Sequence, residues 1–235
     1  MTEAPTDLDA RVAALFAAQA DQARRYAELL STSAVEWGLI GPREADKIWD
    51  RHILNCAVLA SAIPAGVRLA DVGSGAGLPG VVLAIARPDI RVTLIEPLLR
   101  RVTWLTTAVT ELDLPNVTIT RSRAEALPAA ERSFDVVTAR AVAALPKLLG
   151  WCVPLLKPGG IFLGMKGATI ADELAESEPT LAALGAASWT VEEYGAGTVD
   201  PPTRVVRVVA GTTRPAPAKP ASSAKPARTK PRRRR

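Results

Sequence analysis

Four closely spaced glycines give this chain its clearest sign of chemistry. The segment that begins at Leu69 reads LADVGSGAGLPG, and the apolar run VVLAIA follows it. This pattern predicts a strand, a tight turn and the start of a helix. Glycine suits such a turn because it adopts positive φ and lets a ligand lie against bare backbone. The free N–H groups at the start of the helix would then face an electron-rich ligand.

Two frames of these glycines indicate a nucleoside cofactor. Gly75, Gly77 and Gly80 form G-x-G-x-x-G, which is typical of dinucleotide-binding domains. Counted from Asp71, the segment reads D-x-G-x-G-x-G, which resembles the first motif of S-adenosylmethionine-dependent methyltransferases. Both cofactors need an acid after the next strand to bind ribose hydroxyls, and Glu96 ends the run RVTLIE, 21 positions after Gly75. A tight turn without a ligand is the remaining interpretation.

Composition narrows the class of protein. The 235 residues are sufficient for one sizeable α/β domain with extensions. Cys56 and Cys152 lie far apart in apolar helical segments, so buried reduced thiols are expected rather than a disulfide. Because His52 is the one histidine, no metal site is expected. No signal segment is visible and no apolar run approaches the ~20 residues of a membrane span, so a cytoplasmic protein without a membrane partner is expected.

The net charge of +5 originates in the C-terminus. Residues 214–235 hold nine lysines or arginines and no acid. Removing those nine from the 29 basic residues leaves 20 against 24 acidic ones, a net charge of −4 for the rest of the chain. Residues 212–235 are proline-rich without apolar periodicity, which predicts a disordered basic tail. Such a tail either binds phosphate backbones without reading sequence or serves only as a solubilising terminus.

The order of helical and strand patterns predicts the architecture. Leu8 to Leu39 is helical in pattern with a break near Ser31 to Ser33, and Arg43 to Ala62 is helical again. Residues 1–66 are therefore expected to form an N-terminal helical cap. Residues 67–211 alternate strand and helix patterns, which predicts a mostly parallel seven-stranded sheet with helices on both faces.

The last part of this α/β region contains further signals. The final two strands should form a hairpin at the edge of the sheet, with Asp200-Pro201-Pro202 in the turn between them. A helix from Leu145 to Leu156 should end at KPGG, and Pro179 should kink or break a helix from Asp172 to Leu184. Cofactors in such sheets bind beyond the carboxyl ends of the strands, where the winding reverses.

Several short motifs together resemble one protein family. They are Arg51-His52, DVGSGAGLPG, SRAE from Ser122, RAVA from Arg140, and KPGG followed by MKG from Met165. In this order and at these intervals they resemble the bacterial small-subunit rRNA guanine-N7 methyltransferases, also called the glucose-inhibited division protein B family. The resemblance covers roughly residues 45–210 and excludes the basic tail. It implies a Rossmann-like class I S-adenosylmethionine-dependent methyltransferase fold and methyl transfer from that cofactor to N7 of a guanine in 16S rRNA.

The resemblance also implies roles for individual residues. Contacts to the cofactor would come from Gly73, Gly75, Leu78, Glu96, Ala124, Glu125 and Arg140, with Glu96 on the ribose and the pair Ala124 and Glu125 at the adenine edge. The RNA side would be lined by Arg51, His52 and Lys166. The implied partner is 16S rRNA or the small ribosomal subunit, and the protein is expected to be a monomer without a metal.

The chemistry of guanine N7 explains why no catalytic base is expected. N7 has a lone pair and no proton to lose, so catalysis depends on positioning and on exclusion of water. The fourth strand continues as TARAVAALP and lacks the N/D-P-P-aromatic motif of amino-methylating enzymes. Asp200-Pro201-Pro202 imitates that motif but follows the sixth strand, which favours a simple turn. Arg140 and His52 are the positioning candidates.

Each of these polar residues has a structural alternative. Arg140 could bind guanine O6 or a phosphate, or pair with Asp71 or Glu125. His52 could stack on a base or contact phosphate, or pack between helices. Lys166 could contact phosphate or be a solvated residue at a strand end. The helix residue Arg101, like its neighbour Arg100, is expected on a solvated face.

Two other functions fit parts of this pattern. A nicotinamide-dependent oxidoreductase would use the Gly75-Gly77-Gly80 frame, but it needs a proton donor and the one histidine lies outside the nucleotide-binding region. A non-catalytic S-adenosylmethionine-binding protein could associate with RNA through its tail. Binding of the two cofactors distinguishes the first from a methyltransferase, and methyl transfer to rRNA distinguishes the second.

Overall fold

The fold is built on one sheet, described by a computed structural model that covers residues 7–140, 143–167 and 169–212. Its strands are β1 (Arg68–Val72), β2 (Arg91–Ile95), β3 (Val117–Thr120), β4 (Phe134–Arg140), β5 (Leu156–Met165), β6 (Ala186–Tyr194) and β7 (Thr203–Ala210). Their order is β3-β2-β1-β4-β5-β7-β6. Strands β1 to β5 pair in parallel, and β7 is antiparallel to both β5 and β6. The mostly parallel sheet and its hairpin at one edge were both predicted, and both are confirmed.

Helices cover both faces of this sheet. The α-helices are α1 (Leu8–Phe16), α2 (Ala20–Ser31), α3 (Ser33–Glu36), α4 (Leu54–Ala57), α5 (Gly80–Ala86), α6 (Leu99–Glu111), α7 (Leu145–Cys152) and α8 (Ile170–Ala183). Shorter 3₁₀ turns cover Ala17–Gln19, Pro42–Lys47, Val58–Ala62, Ala124–Ala126, Ala129–Glu131 and Val153–Leu155, and a π-helical turn covers Ile48–Ile53.

Alternation along the strands produces two separate cores. Leu69 and Leu94 pack with the N-terminal helices, α5 and α6, whereas Ala70 and Ile95 pack with α7 and α8 on the opposite face. The N-terminal helices share one core with α5. The division of the chain after residue 66 stays a prediction, and the tail predicted for residues 212–235 lies outside the described residues apart from Thr212.

The N-terminal helices are less regular than predicted. The break near Ser31 to Ser33 is confirmed, but Ala17 also interrupts the first helix with a φ of 48°. The segment from Pro42 to Ala62 is a succession of 3₁₀, π and α turns rather than one α-helix. The π turn carries Arg51 and His52, and π turns inside helices often mark functional sites. The irregularity therefore falls on residues that the sequence had singled out.

KPGG does not itself end a helix, and Pro179 does not break one, so both predictions need correction in part. Helix α7 ends at Cys152, before Pro154, and KPGG lies inside β5 as a bulge rather than at the end of a helix. The register shows this bulge, because Leu156 pairs with Phe134 but Ile161 pairs with Val136. Helix α8 runs through Pro179 without a break.

Other predictions concern buried groups and the membrane. Cys56 and Cys152 are buried free thiols, as expected, and burial raises the pKa of both. Among the described residues, no helix is long and apolar enough to cross a membrane. No group of three His, Cys, Asp or Glu side chains in the described ranges could hold a metal ion.

Candidate active site at the glycine turn

The glycine segment forms a tight turn between β1 and α5. Gly73, Gly75 and Gly77 have φ values of 71°, 57° and 93°, which side-chain-bearing residues rarely adopt. The Gly73 N–H donates to the Ile95 carbonyl at 2.8 Å, and Gly77 N–H donates to the Ser74 carbonyl at 2.6 Å. Glycine is therefore required at these three positions because the backbone of the turn adopts positive φ there, as predicted.

Asp71 lies beneath this turn, fully buried. Its Oδ2 accepts a hydrogen bond from Gly80 N–H at 3.1 Å and so holds the start of α5. Its Oδ1 has no hydrogen-bond partner among the described residues. Burial raises the pKa of Asp71 to about 7, with hydrogen bonds from the turn acting in the opposite direction. Asp71 supports the turn from the inside. In the described ranges Arg140 forms an ion pair with neither Asp71 nor Glu125, so that structural alternative is wrong.

Glu96 follows β2 and touches the turn from the other side. Its Oε2 accepts a hydrogen bond from Gly75 N–H at 3.0 Å, and its Oε1 accepts one from Leu98 N–H at 3.0 Å. The side chain is 1% exposed. Arg101 Nη1 lies 3.5 Å from Oε2, so this arginine reaches the site, although its side chain stays 43% exposed, as the assignment to a solvated face predicted. The spacing of 21 positions thus places a fixed carboxylate directly beside the glycines.

A cavity of about 600 Å³ opens over the glycine turn. All seven residues that the sequence assigned to the cofactor line it, namely Gly73, Gly75, Leu78, Glu96, Ala124, Glu125 and Arg140. Ala124 and Glu125 reach it on the short turn after β3, where Ala124 is buried and Glu125 exposed. The structure brings the seven together; their roles stay predictions.

Sequence reasoning missed several residues that also line this cavity. Ile40 and Glu44 come from the N-terminal helical region, and Trp151 comes from α7. Leu98 also lines the cavity and is 53% exposed. A large apolar side chain exposed at a cavity is typical of a ligand-binding surface. The signal that could have found Leu98 is its position, because it directly follows the strand that ends at Glu96.

Arg140 is held by a chain of side chains from the N-terminal region. Its guanidinium donates to His52 Nδ1 and to Cys56 Sγ, the latter at 3.4 Å. His52 Nε2 lies 3.2 Å from Glu44 Oε2, and Arg51 Nη1 donates to Glu44 Oε1 at 3.0 Å. Because Nδ1 accepts from Arg140, Nε2 carries the proton and donates to Glu44.

His52 is consequently neutral near pH 7. Burial lowers its pKa to about 4, the positive charge of Arg140 acts in the same direction, and Glu44 opposes them. The side chain is 11% exposed and both ring nitrogens are engaged. His52 is therefore packed among the N-terminal helices, as the structural alternative predicted, and it also contacts Arg140 in the site.

We expect acid to destabilise the protein through His52. In the unfolded chain the imidazole binds a proton near pH 6.5, but in the folded protein only near pH 4, so the unfolded state takes up the proton first as the pH falls. Between pH 6.5 and pH 4 the wild type should lose on the order of 2 kcal/mol of unfolding free energy relative to His52→Asn. Urea unfolding of both proteins at several pH values measures this difference.

The comparison with His52→Asn cancels the contribution of a second titrating group, Asp71, to the pH dependence of stability. Asp71, with its pKa raised to about 7, takes up a proton in the folded protein before it does so in the unfolded chain. Its protonation therefore raises the free energy of unfolding as the pH falls over the same range, which opposes the effect of His52 in the wild type. Asp71 is present in both proteins, so its contribution cancels in the difference. Equal pH dependence of the two proteins would contradict the prediction.

A second cavity of about 820 Å³ adjoins the first. His52 and Arg140 line both cavities, whereas Arg51 and Lys166 line only the second. The three residues assigned to the RNA side therefore share one surface. Lys166 is 11% exposed and its ammonium is 2.7 Å from Glu173 Oε2, so it is neither a solvated lysine nor a free cation.

The first cavity suits S-adenosylmethionine in its chemistry. Bare backbone at the glycine turn admits close approach, and the Glu96 carboxylate is an acceptor of the type that ribose hydroxyls require. Together, the strand order with β7 antiparallel beside β5, the glycine turn after β1 and the acid after β2 define the class: a Rossmann-like class I methyltransferase fold.

Solved structures agree on this fold. The YcgJ protein from Bacillus subtilis matches with a TM-score of 0.51 and 16% identity over 67% of this chain and 98% of that one. A SAM-dependent O-methyltransferase from Thermotoga maritima matches with a TM-score of 0.50 and 19% identity over 68% of this chain and 66% of that one. At these identities the similarity establishes the fold alone.

Closer relatives identify the family. A family model described as rRNA small subunit methyltransferase G matches residues 19–200. Proteins named ribosomal RNA small subunit methyltransferase G are 55% identical in a Nocardioides species, over 80% of this chain and 74% of the relative, and 52% identical in Mycolicibacterium gilvum, over 87% and 90%. The chain belongs to the rRNA small subunit methyltransferase G family, which confirms the resemblance inferred from the motifs.

Proposed function

We propose that this protein transfers a methyl group from S-adenosylmethionine to N7 of a guanine in the 16S rRNA of the small ribosomal subunit. One observation carries the proposal: the cavity over the glycine turn and the cavity beside Arg51 meet at Arg140 and His52. A cofactor in the first cavity and a base in the second would therefore face each other across these two residues. Membership in the family supplies the class of substrate.

Residues of the first cavity would hold the cofactor. Glu96 is already fixed by two backbone N–H groups, so its remaining acceptor capacity is oriented for the ribose hydroxyls. The glycine turn would leave room for the methionine part, and Ala124 with Glu125 would approach the adenine. When bound, S-adenosylmethionine supplies an electrophilic methyl group on its sulfonium.

The remaining work of catalysis is positioning. Guanine N7 needs no base, and two titratable groups of the site are not free to act as one, because both nitrogens of His52 are engaged and Asp71 lies beneath the turn. Arg140 would donate to guanine O6 and leave N7 free to approach the methyl group in line. His52 and Glu44 would hold the Arg140 guanidinium in that orientation.

The two rival functions are weaker. A nicotinamide-dependent oxidoreductase needs a proton donor beside the cofactor, and His52 is neutral with its one N–H directed at Glu44. A non-catalytic S-adenosylmethionine-binding protein would need neither the second cavity nor its junction with the first. Family membership favours the methyltransferase over both.

The proposal extends to partners and organisation. Arg51 and the basic residues of 213–235 would contact rRNA phosphates, the latter without sequence preference. Residues 1–66 would act as a cap over the nucleotide fold of residues 67–211. We propose that the protein acts as a monomer in the cytoplasm, where ribosomal subunits assemble, and without a metal.

One pair of measurements tests the function. Calorimetry should show binding of S-adenosylmethionine and no binding of NAD. Labelled cofactor should then transfer its methyl group to rRNA or small subunits from cells that lack this gene, and mapping should place the mark on N7 of one guanine. Affinity for NAD alone would favour the oxidoreductase, and cofactor binding without transfer would favour the non-catalytic protein.

A further inference from the structure

The loop between β6 and β7 contributes one wall of the second cavity. Asp200, Pro201 and Pro202 line that cavity and do not line the first. The sequence suggested a simple turn for this segment, because it follows the sixth strand rather than the fourth. The fold nevertheless brings it to the same cavity as Arg140, since β7, which follows this loop, lies beside β5.

Asp200 differs from the other charged residues of this wall. Asp50 pairs with Arg11, and Lys166 and Arg204 pair with glutamates from α8 and β6. Asp200 is exposed and makes no ion pair or side-chain hydrogen bond with the described residues. Asp200 therefore lines the cavity with the acceptor capacity of its carboxylate unused by the described residues.

The geometry of guanine explains what such a carboxylate could do. If N7 points toward the first cavity, O6 lies near Arg140 and the edge that bears N1–H and the N2 amino group points away from the cofactor. Both of these groups are donors, and a carboxylate carries only acceptors. Adenine presents an N1 lone pair there, which a carboxylate repels.

We propose that Asp200 is a specificity-determining residue that accepts hydrogen bonds from N1–H and the N2 amino group of the target guanine. Pro201 and Pro202, which line the same cavity, would form an apolar wall beside the base. The inference rests on the proposed function, because it needs N7 to be the atom that faces the cofactor.

The test combines a change in the protein with a change in the base. The substrate is the rRNA or reconstituted subunit that the wild type methylates, with guanine or inosine at the mapped position. Inosine lacks the N2 amino group, so the wild type should methylate it about tenfold less efficiently in kcat/KM, as sites built to bind a donor reject analogues without it. Asp200→Ala should lower kcat/KM for guanine by about 10- to 100-fold.

The decisive quantity is the inosine penalty in the variant. If Asp200 binds the N2 amino group, Asp200→Ala should treat guanine and inosine alike, within about twofold. Glu178→Gln also neutralises one exposed acid, but on α8, and should retain the full penalty. Calorimetry with S-adenosylmethionine checks that both variants fold, because neither residue lines the first cavity.

Each outcome has one meaning. A wild type that methylates no guanine N7 refutes the proposed function whatever Asp200 does. A wild type that methylates guanine and inosine equally, or a penalty that persists in Asp200→Ala, refutes the assignment of Asp200 and leaves the proposed function standing.

Discussion

Replacing Glu96 with alanine is expected to weaken S-adenosylmethionine binding by about 100-fold or more. A carboxylate that accepts two ribose hydroxyls forms two charge-assisted hydrogen bonds, each worth about 1.5–3 kcal/mol. The substitution also removes the acceptor for Gly75 N–H and Leu98 N–H, so the turn loses part of its support. Calorimetric titration of the variant with the cofactor measures the loss.

Two further variants separate these contributions. Glu96→Gln keeps an oxygen for one backbone N–H but loses the charge, so its affinity should fall between those of wild type and alanine variant. Glu111→Gln changes an exposed acid at the end of α6 and should bind the cofactor normally. Normal affinity in Glu96→Ala would show that the cofactor ribose lies elsewhere, and the proposed mode of binding would fail.

The seven residues assigned to the cofactor could be predicted from the family motifs, and each lies at or beyond the end of a strand. Glycines after β1, Glu96 after β2, Ala124 after β3 and Arg140 in the last position of β4 all reach the carboxyl edge of one parallel sheet. The alternation of patterns fixes that edge without any knowledge of side-chain contacts. Local sequence patterns were sufficient to predict the site residues that the sheet itself places at this edge.

Contacts between distant segments were not predictable in this way. Tyr26 lies in an alanine-rich helix, yet its hydroxyl donates to the Ala76 carbonyl at 2.6 Å and ties α2 to the glycine turn. His52 contacts Arg140 from a π turn, and Glu44 contacts His52 from the preceding 3₁₀ turn, and the apolar periodicity of the sequence predicts neither turn. Asp200 lines the second cavity because it precedes β7, which pairs antiparallel with β5.

Replacing Gly77 with alanine is expected to destabilise the protein by about 3 kcal/mol. At a φ of 93° a side-chain-bearing residue costs about 1–2 kcal/mol in backbone strain. A Cβ there would also lie 2.5 Å from Val81 Cγ2 and 2.9 Å from Tyr26 Oη, and such overpacking adds about 1–3 kcal/mol. Urea unfolding measures the loss, and thermal unfolding should show a decrease in Tm of about 8 °C.

Two glycines of the same chain separate strain from crowding. Gly75 has a φ of 57°, but a Cβ there would meet only the Gly73 carbonyl oxygen at 3.8 Å, so Gly75→Ala should cost about 1 kcal/mol from strain alone. Gly150 lies in α7 with no atom within 4 Å of such a Cβ, so Gly150→Ala should be neutral or stabilise by about 0.5–1 kcal/mol. Equal losses at positions 75 and 77 would mean that Tyr26 and Val81 yield to the new methyl group. We expect a larger loss at position 77, because Tyr26 is fully buried and its hydroxyl cannot move away from the turn without losing its hydrogen bond to the Ala76 carbonyl.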